Sequence, residues 1–296
     1  MYPISYIEPV FRPPSEWKSL ILQVTNGCSW NNCTFCDMYT AEQKRFKPVP
    51  LEQTEAQLKS IVDAGYPVYR VFLADGDAMT LSVRRLHEIM DMLNRWLPHK
   101  PRVSAYCLPR NLKNKSVEDL RDLRAKGLSL MYVGCETGDN ELLTLIEKGE
   151  SFASSLSALE KMKAAGIKSS VMVLNGLGGP ELSERHAIES ARLMNAAQPE
   201  YLSTLVVDFP HGSERFKTNF NGRWRQLNKP ELFREMEVFL DHLELESTIF
   251  RSDHASNYLV LKGVLGKDKN QMLNTIRTAI NQPGRIPLRE EWQRGL

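Results

Sequence analysis

Apolar residues recur along the chain in two alternating modes. Short continuous runs rich in Val, Ile and Leu fall at 19–25, 67–74, 102–107, 128–135, 167–174 and 201–207. Between them lie longer stretches, 50–64, 81–97, 116–126, 140–147, 152–165 and 181–197, in which apolar positions return every three to four residues. The runs have the length of fully buried strands and the longer stretches the period of amphipathic helices. Helix ends carry their own chemistry. Ser116 stands three residues before Asp119 in a capping-box arrangement, Gly65, Gly127 and Gly166 act as stops, and Pro98 closes the stretch before it. Six strands alternating with helices predict a parallel sheet, because parallel neighbours need crossover connections and are covered on both faces. An α/β fold of the partial (β/α)6, TIM-like barrel type fits this count. A doubly wound open sheet has the same periodicity and stays open as the alternative.

The flanks differ from this core. Residues 1–18 hold Pro3, Pro9, Pro13 and Pro14 and predict an extended arm. Residues 19–212 form the expected barrel core, and 213–296 a small C-terminal α+β extension packing on it, with a helix at 228–245, a strand at 246–251 and an amphipathic helix at 267–280. The strand is expected to dock on the sheet edge left by the sixth strand.

Composition adds limits. A chain of 296 residues with 42% hydrophobic content supports a large core, and a formal charge of +2 argues against an obligatory nucleic-acid partner. No apolar stretch reaches about 18 residues, and Met1-Tyr2-Pro3-Ile4-Ser5 lacks the regions of a signal peptide, so a cytoplasmic protein without a membrane partner is expected. Three of the five cysteines, Cys28, Cys33 and Cys36, lie within nine positions directly after the first strand. Cys-x4-Cys-x2-Cys gathers soft thiolates that select zinc, copper(I) or an iron–sulfur cluster. No fourth ligand stands near, which suggests a chemically open site. Cys107 and Cys135 are isolated and read as small buried apolar residues. A zinc-stabilised interaction module, a non-catalytic electron carrier and a metal-free barrel enzyme are the competing readings.

The stretch Gly27-Cys28-Ser29-Trp30-Asn31-Asn32-Cys33-Thr34-Phe35-Cys36 resembles the cluster-binding loop of the radical S-adenosylmethionine superfamily. There, three cysteines hold a [4Fe–4S] cluster and leave one iron for the amine and carboxylate of S-adenosylmethionine. The common spacing is Cys-x3-Cys-x2-Cys, so this loop carries one extra residue, whereas the Cys33-Thr34-Phe35-Cys36 half keeps the usual form. The resemblance implies the partial (β/α)6 barrel and an enzyme that reductively cleaves S-adenosylmethionine to a 5′-deoxyadenosyl radical acting on a small polar substrate. A low-potential donor, flavodoxin or ferredoxin, is implied as partner. It also assigns residues at the strand ends. Asp75-Gly76-Asp77 resembles the Gly-Gly-Glu element that receives the methionine amine. Gly134-Cys135-Glu136-Thr137-Gly138 resembles the Gly-x-Glu-Ser/Thr-Gly stretch whose acid faces the ribose or methionyl part. Asn175 lies in the segment along which adenine runs, and Phe35 is placed to contact adenine.

Only 27 residues precede Cys28 and no cysteine follows Cys135, so a compact single-cluster member without a cobalamin or auxiliary-cluster domain is expected. After the seventh predicted strand, Arg251, Asp253, His254, Ser256 and Asn257 bring five hydrogen-bonding types into seven positions. Arg251, Asp253, His254 and Asn257 are expected at the substrate, with Arg251 as a carboxylate or phosphate clamp. His87, His99, His186 and His242 fall in helices or at their ends and read as solvent-facing, and His211 and His254 follow strands and remain candidates.

Overall fold

The computed structural model describes residues 2–295; Met1 and Leu296, the outer ends of the expected arm and extension, lie outside the described residues. In chain order the elements are β1 (Leu20–Gln23), β2 (Thr25–Asn26), β3 (Lys47–Pro48), α1 (Leu51–Asp63), β4 (Arg70–Ala74), α2 (Val83–Trp96), β5 (Arg102–Cys107), α3 (Val117–Ala125) and β6 (Leu128–Glu136). There follow α4 (Asn140–Leu145), α5 (Phe152–Ala164), β7 (Lys168–Asn175), α6 (Gly179–Ala197), β8 (Tyr201–Val206), α7 (Glu214–Lys217), α8 (Lys229–His242), β9 (Ile249–Ser252), β10 (Leu261–Val264) and α9 (Leu265–Asn281).

One sheet of eight strands runs in the order β1-β4-β5-β6-β7-β8-β9-β10. The β1/β4, β4/β5, β5/β6, β7/β8 and β8/β9 pairings are parallel and β10/β9 is antiparallel. The predicted helices and strands recur within a few residues of their expected ends. β4 begins at Arg70 rather than 67, where Pro67 has no N–H for a ladder. The first apolar run is divided: Thr25 and Asn26 leave the sheet to pair with Lys47 and Pro48. β9 docks on β8 as expected, Leu202 opposite Phe250, and β10 is an additional strand that the pattern did not mark.

Two compact units divide the chain. The first comprises Met1–Asn31, Cys36–Val133 and Glu160–Ser169. Its core sets Leu20, Leu22, Val71, Leu73, Val103 and Ala105 of the strands against Leu58 and Ile61 of α1, Leu86, Ile89 and Leu93 of α2, and Leu120 and Leu123 of α3, all buried. Each Leu, Ile and Val among them contributes about 1.5–3 kcal/mol on burial. Serine caps start two of the helices, Ser82 accepting from Arg85 N and Ser116 from Asp119 N, which satisfies amides that lack an intrahelical partner. The arm is fastened through polar atoms. Glu16 is fully buried and accepts from Arg102 at 3.0 Å and the Tyr132 hydroxyl at 2.7 Å, and Ile7 N donates to Gln23 at 2.8 Å.

The second unit comprises Asn32–Phe35, Gly134–Leu159 and Ser170–Leu296. Leu142, Leu143, Ile146, Leu177, Val207, Phe216, Phe220 and Trp224 make one of its buried clusters, with Phe35 and Phe209 packed on the side. Helix α8 starts in a reciprocal cap, Asn228 with Glu231, and buries Leu232, Phe233, Met236, Phe239 and Leu240. Among the described residues, no helix is long and apolar enough to cross a membrane.

Candidate cofactor site

In the first unit the cysteine loop is held by its non-cysteine residues. Ser29 donates to the Asp77 carboxylate, the Arg110 guanidinium lies 3.7 Å from the Trp30 ring centre, and Asn31 donates to the Tyr39 carbonyl at 3.0 Å. The turn after β4 packs directly beneath. A Cβ on Gly76 would stand 2.6 Å from the Gly27 carbonyl oxygen and 2.9 Å from the Tyr39 ring, so only glycine fits at its φ of +41°. Asp75 is fully buried against Lys44, which is buried to the same degree and also donates to the Ile7 carbonyl at 2.9 Å. Asp77 is buried as well. Its Oδ2 takes the Ser29 hydroxyl, and among the described residues its Oδ1 has no hydrogen-bond partner within 3.5 Å. Burial pushes its pKa up, against the lowering effects of the Ser29 bonds, the Asn111 side chain and the Arg110 charge.

In the second unit, Cys33-Thr34-Phe35 is anchored by backbone. Thr34 N donates to the Ile146 carbonyl at 3.0 Å, and Arg215 of α7 donates to the carbonyls of Asn32 and Cys33 at 3.2 and 3.1 Å. Phe35 is half-buried, with Lys148 Nζ 5.7 Å from its ring centre. The same lysine meets Glu136 Oε1 at 2.7 Å. Glu136 ends β6 in the left-handed region, φ +64°, and folds back over Gly134, where any Cβ would collide with its carboxylate. The glycine two positions before the acid thus has a steric cause. Asn175 closes β7 and is buried.

The expected substrate residues separate by role. Arg251 is exposed on β9, and Asp253 pairs with Lys262 at 3.4 Å. His254 lies next to Ser256 Oγ at 3.0 Å, with its pKa lowered by burial and by Arg289. Asn257 is buried with both ends of its amide engaged, accepting from Val206 N at 3.0 Å and donating to the Thr204 carbonyl at 2.8 Å. His186, expected at the surface, is buried because it lies on the inward stripe of α6 with Ala187, Ser190 and Ala191. Lys44, Lys148 and Arg215 carried no motif, since a lysine or arginine near a helix end is an ordinary surface residue.

None of the five cysteines is in a disulfide; Cys28, Cys33 and Cys36 are half-exposed, and Cys107 and Cys135 are buried. Among the described residues, no three His, Cys, Asp or Glu side chains converge on a point that would hold a single metal ion. Three accessible thiols on one loop fit a cluster that engages each cysteine through its own iron. The unpartnered Oδ1 of Asp77 fits an ammonium donor.

Comparison with known proteins agrees with this donor set. The model of the radical SAM superfamily matches residues 22–194, more than half of the chain. The heme chaperone HemW of Bacillus subtilis is 24% identical over 179 residues, covering 59% of this chain and 47% of that protein. The 4′-phospho-dehydrooxetanocin synthase of Priestia megaterium is 26% identical over 165 residues, 50% of this chain and 22% of the relative. The chain therefore spans less than half the length of these curated relatives. Coproporphyrinogen III oxidase (HemN) of Escherichia coli, a radical SAM enzyme, superposes with a TM-score of 0.54 at 16% identity, over 75% of this chain and 52% of that one. At such identity the likeness shows the fold alone, and it is the partial α/β barrel that the resemblance implied and the strand pattern left beside a doubly wound sheet. The superfamily uses a [4Fe–4S] cluster and S-adenosylmethionine, cleaves the latter by radical chemistry, and requires a reductant and a substrate. Matched over residues 22–194 and carrying the three-cysteine loop directly after its first strand, the chain belongs to the radical SAM superfamily.

Proposed function

We propose that this chain is an enzyme in which Cys28, Cys33 and Cys36 hold the [4Fe–4S] cluster and the turns after β4, β6 and β7 hold S-adenosylmethionine. When bound, cluster and cofactor supply one-electron cleavage of a sulfur–carbon bond and a 5′-deoxyadenosyl radical for hydrogen abstraction. The observation that carries the assignment is Asp77. Its carboxylate is fastened by Ser29, the neighbour of Cys28, with Asn111 close by, and among the described residues one of its buried oxygens has no donor within 3.5 Å. A carboxylate so placed accepts the methionine ammonium and shares the loop's position. Gly76 gives the backbone its close approach to Gly27. On the second unit, Glu136 offers a carboxylate to the ribose hydroxyls, Lys148 orients it, Phe35 contributes an apolar face for adenine, and Asn175 stands at the strand end that follows. Asp75 acts from behind the turn, since its charge is engaged by Lys44.

Arg251, Asp253 and His254 are the proposed substrate contacts, with Arg251 a clamp for a carboxylate or phosphate. Asn257 positions that segment by spending its amide on the β8 backbone. Flavodoxin or ferredoxin is the proposed electron donor and the cytoplasm the proposed setting.

Anaerobic reconstitution tests the assignment. About four irons per chain are expected, with 5′-deoxyadenosine formed on addition of dithionite and S-adenosylmethionine. Cys28→Ala, Cys33→Ala and Cys36→Ala each lose the cluster, and Cys107→Ala and Cys135→Ala retain it. A colourless zinc-loaded protein, or equal loss of iron in Cys135→Ala, refutes the proposal.

A further inference from the structure

We infer that Glu235 is a positioning residue for cofactor binding: with His186 it braces the turns that follow β6 and β7, from a helix outside the family's matched region. The inference rests on the proposal that those two turns hold S-adenosylmethionine. Glu235 lies on α8, beyond residues 22–194, and is only 3% exposed. One carboxyl oxygen accepts the backbone N–H of Gly176 at 2.6 Å and the other the Ser183 hydroxyl of α6, also at 2.6 Å. Gly176 directly follows Asn175, and its φ of +81° belongs to the turn itself. The bond from Glu235 therefore sets where that turn lies.

The brace continues to the other turn. His186 of α6, 2% exposed, has its Nε2 3.9 Å from the Glu235 carboxyl and its Nδ1 2.8 Å from the Thr137 hydroxyl. Thr137 is the residue after Glu136, and its hydroxyl also accepts the Asp139 N–H at 3.0 Å. One α6 turn further on, the Ser190 hydroxyl accepts the Gly138 N–H at 3.0 Å. Arg185, beside His186, holds the Asp139 carboxylate from outside through two nitrogens. Two helices thus grip the backbone of the two turns, α8 through the Glu235 carboxyl on Gly176 and α6 through His186 on Thr137 and Ser190 on Gly138, with the His186 ring packed beside the Glu235 carboxyl rather than hydrogen-bonded to it.

Such a pair is costly as filler. A buried carboxyl and imidazole lose their hydration, and an apolar pair of the same volume packs without that penalty. What the polar pair supplies is direction: fixed acceptors for particular amides in turns that carry Glu136 and Asn175. A shift of about 1 Å at a binding turn is enough to degrade a multi-point contact. Burial also keeps the imidazole neutral at physiological pH, its pKa pushed down to about 4, so that it meets the Thr137 hydroxyl without bringing in a charge.

The test is equilibrium dialysis of labelled S-adenosylmethionine against the reconstituted full chain without reductant, so that nothing turns over. Glu235→Leu is expected to weaken binding about tenfold or more with iron content unchanged. Glu235→Gln, which keeps an oxygen for Gly176 and a polar group for Ser183, should restore affinity to within about threefold. Thr137→Val, which preserves shape and removes the hydroxyl that meets His186, should weaken binding about fivefold, and Ser183→Ala, which removes a donor to Glu235 itself, should weaken it in the same direction and decides the matter where Glu235→Leu fails to fold. Wild-type affinity in Glu235→Leu and Thr137→Val overturns the brace, as does a Glu235→Gln protein as weak as Glu235→Leu. Failure of the wild type to bind any S-adenosylmethionine overturns the cofactor proposal itself, and this inference with it.

Discussion

Asp75 in the first unit and Glu235 in the second are buried carboxyls behind strand-end turns, and they are balanced by different means. Asp75 faces a lysine: Lys44 Nζ meets its carboxylate, both side chains are fully buried, and Gln23 donates to the same oxygen at 3.2 Å. Glu235 faces a neutral ring and two uncharged donors, and burial pushes its pKa up to about 7. One unit sets a lysine against its buried acid, and the other leaves its acid without a cation, so that burial raises its pKa. A matched pair is intolerant of losing one partner, because the survivor is a bare ion in a low-dielectric interior. A buried acid without a cation tolerates an isosteric amide and, taken alone, makes stability respond to pH. Glu136 stands between the two cases, paired with Lys148 yet 8% exposed at the end of its strand.

The largest effect separates the first pair from the rest. Lys44→Met strands Asp75 and should cost about 3–5 kcal/mol of stability in urea unfolding of the cluster-free protein. Glu235→Gln should cost less than about 1 kcal/mol on the same axis. Comparable losses in the two variants remove the distinction between a lysine-matched acid and one without a cation.

Next in size is a loss of affinity with little loss of stability. Glu136→Ala should weaken S-adenosylmethionine binding about ten- to a hundredfold while the reconstituted chain keeps its iron. Gly134→Ala should act in the same direction, because the added Cβ collides with the Glu136 carboxylate and displaces it from Lys148. Unchanged affinity in both variants makes Glu136 a strand-end residue like Asp75, and the contrast between them disappears.

How much of this was legible in the sequence follows the same divide. Strand positions, the thiol loop and the acids after the strands are local signals: apolar runs, a Cys spacing, a Gly two residues before a Glu. Their partners are not local. Lys44 and Lys148 look like any exposed lysine until the fold brings Lys44 to a residue 31 positions away. Glu235 does leave a trace in the sequence, since it shares the inward stripe of α8 with Leu232, Met236 and Phe239. An acid at helical spacing within an apolar stripe has to find a donor or a proton. His186 leaves the same trace on α6, among Ala187, Ser190 and Ala191, small residues whose stripe is too weakly apolar to mark a buried face. β10 escaped because its four residues include Lys262 and Gly263, which interrupt any apolar run.

The smallest effect is a slope with a sign. Burial raises Glu235 from its ordinary 4.5 to about 7, so its contribution to stability is complete below 4.5 and is lost as pH rises through 7. Burial lowers His186 from 6.5 to about 4, partly opposed by the nearby Asp139 charge, so its contribution is complete above 6.5 and is lost as pH falls through 4. Between 4.5 and 6.5 the folded pair holds one proton, on Glu235, and the unfolded chain also holds one, on His186. Equal proton counts give no slope, and the pair is silent in that window. Either substitution ends the cancellation. Glu235→Gln leaves His186 alone, and stability should fall with decreasing pH across the window by up to about 1.4 kcal/mol per pH unit relative to wild type. His186→Gln leaves Glu235 alone, and stability should fall with increasing pH by a similar amount. Urea unfolding at three pH values from 5 to 6.5 reads the differences, since the rest of the chain contributes equally to all three proteins. Parallel profiles mean that no proton is shared in this way and that the second unit balances its buried acid by some other route.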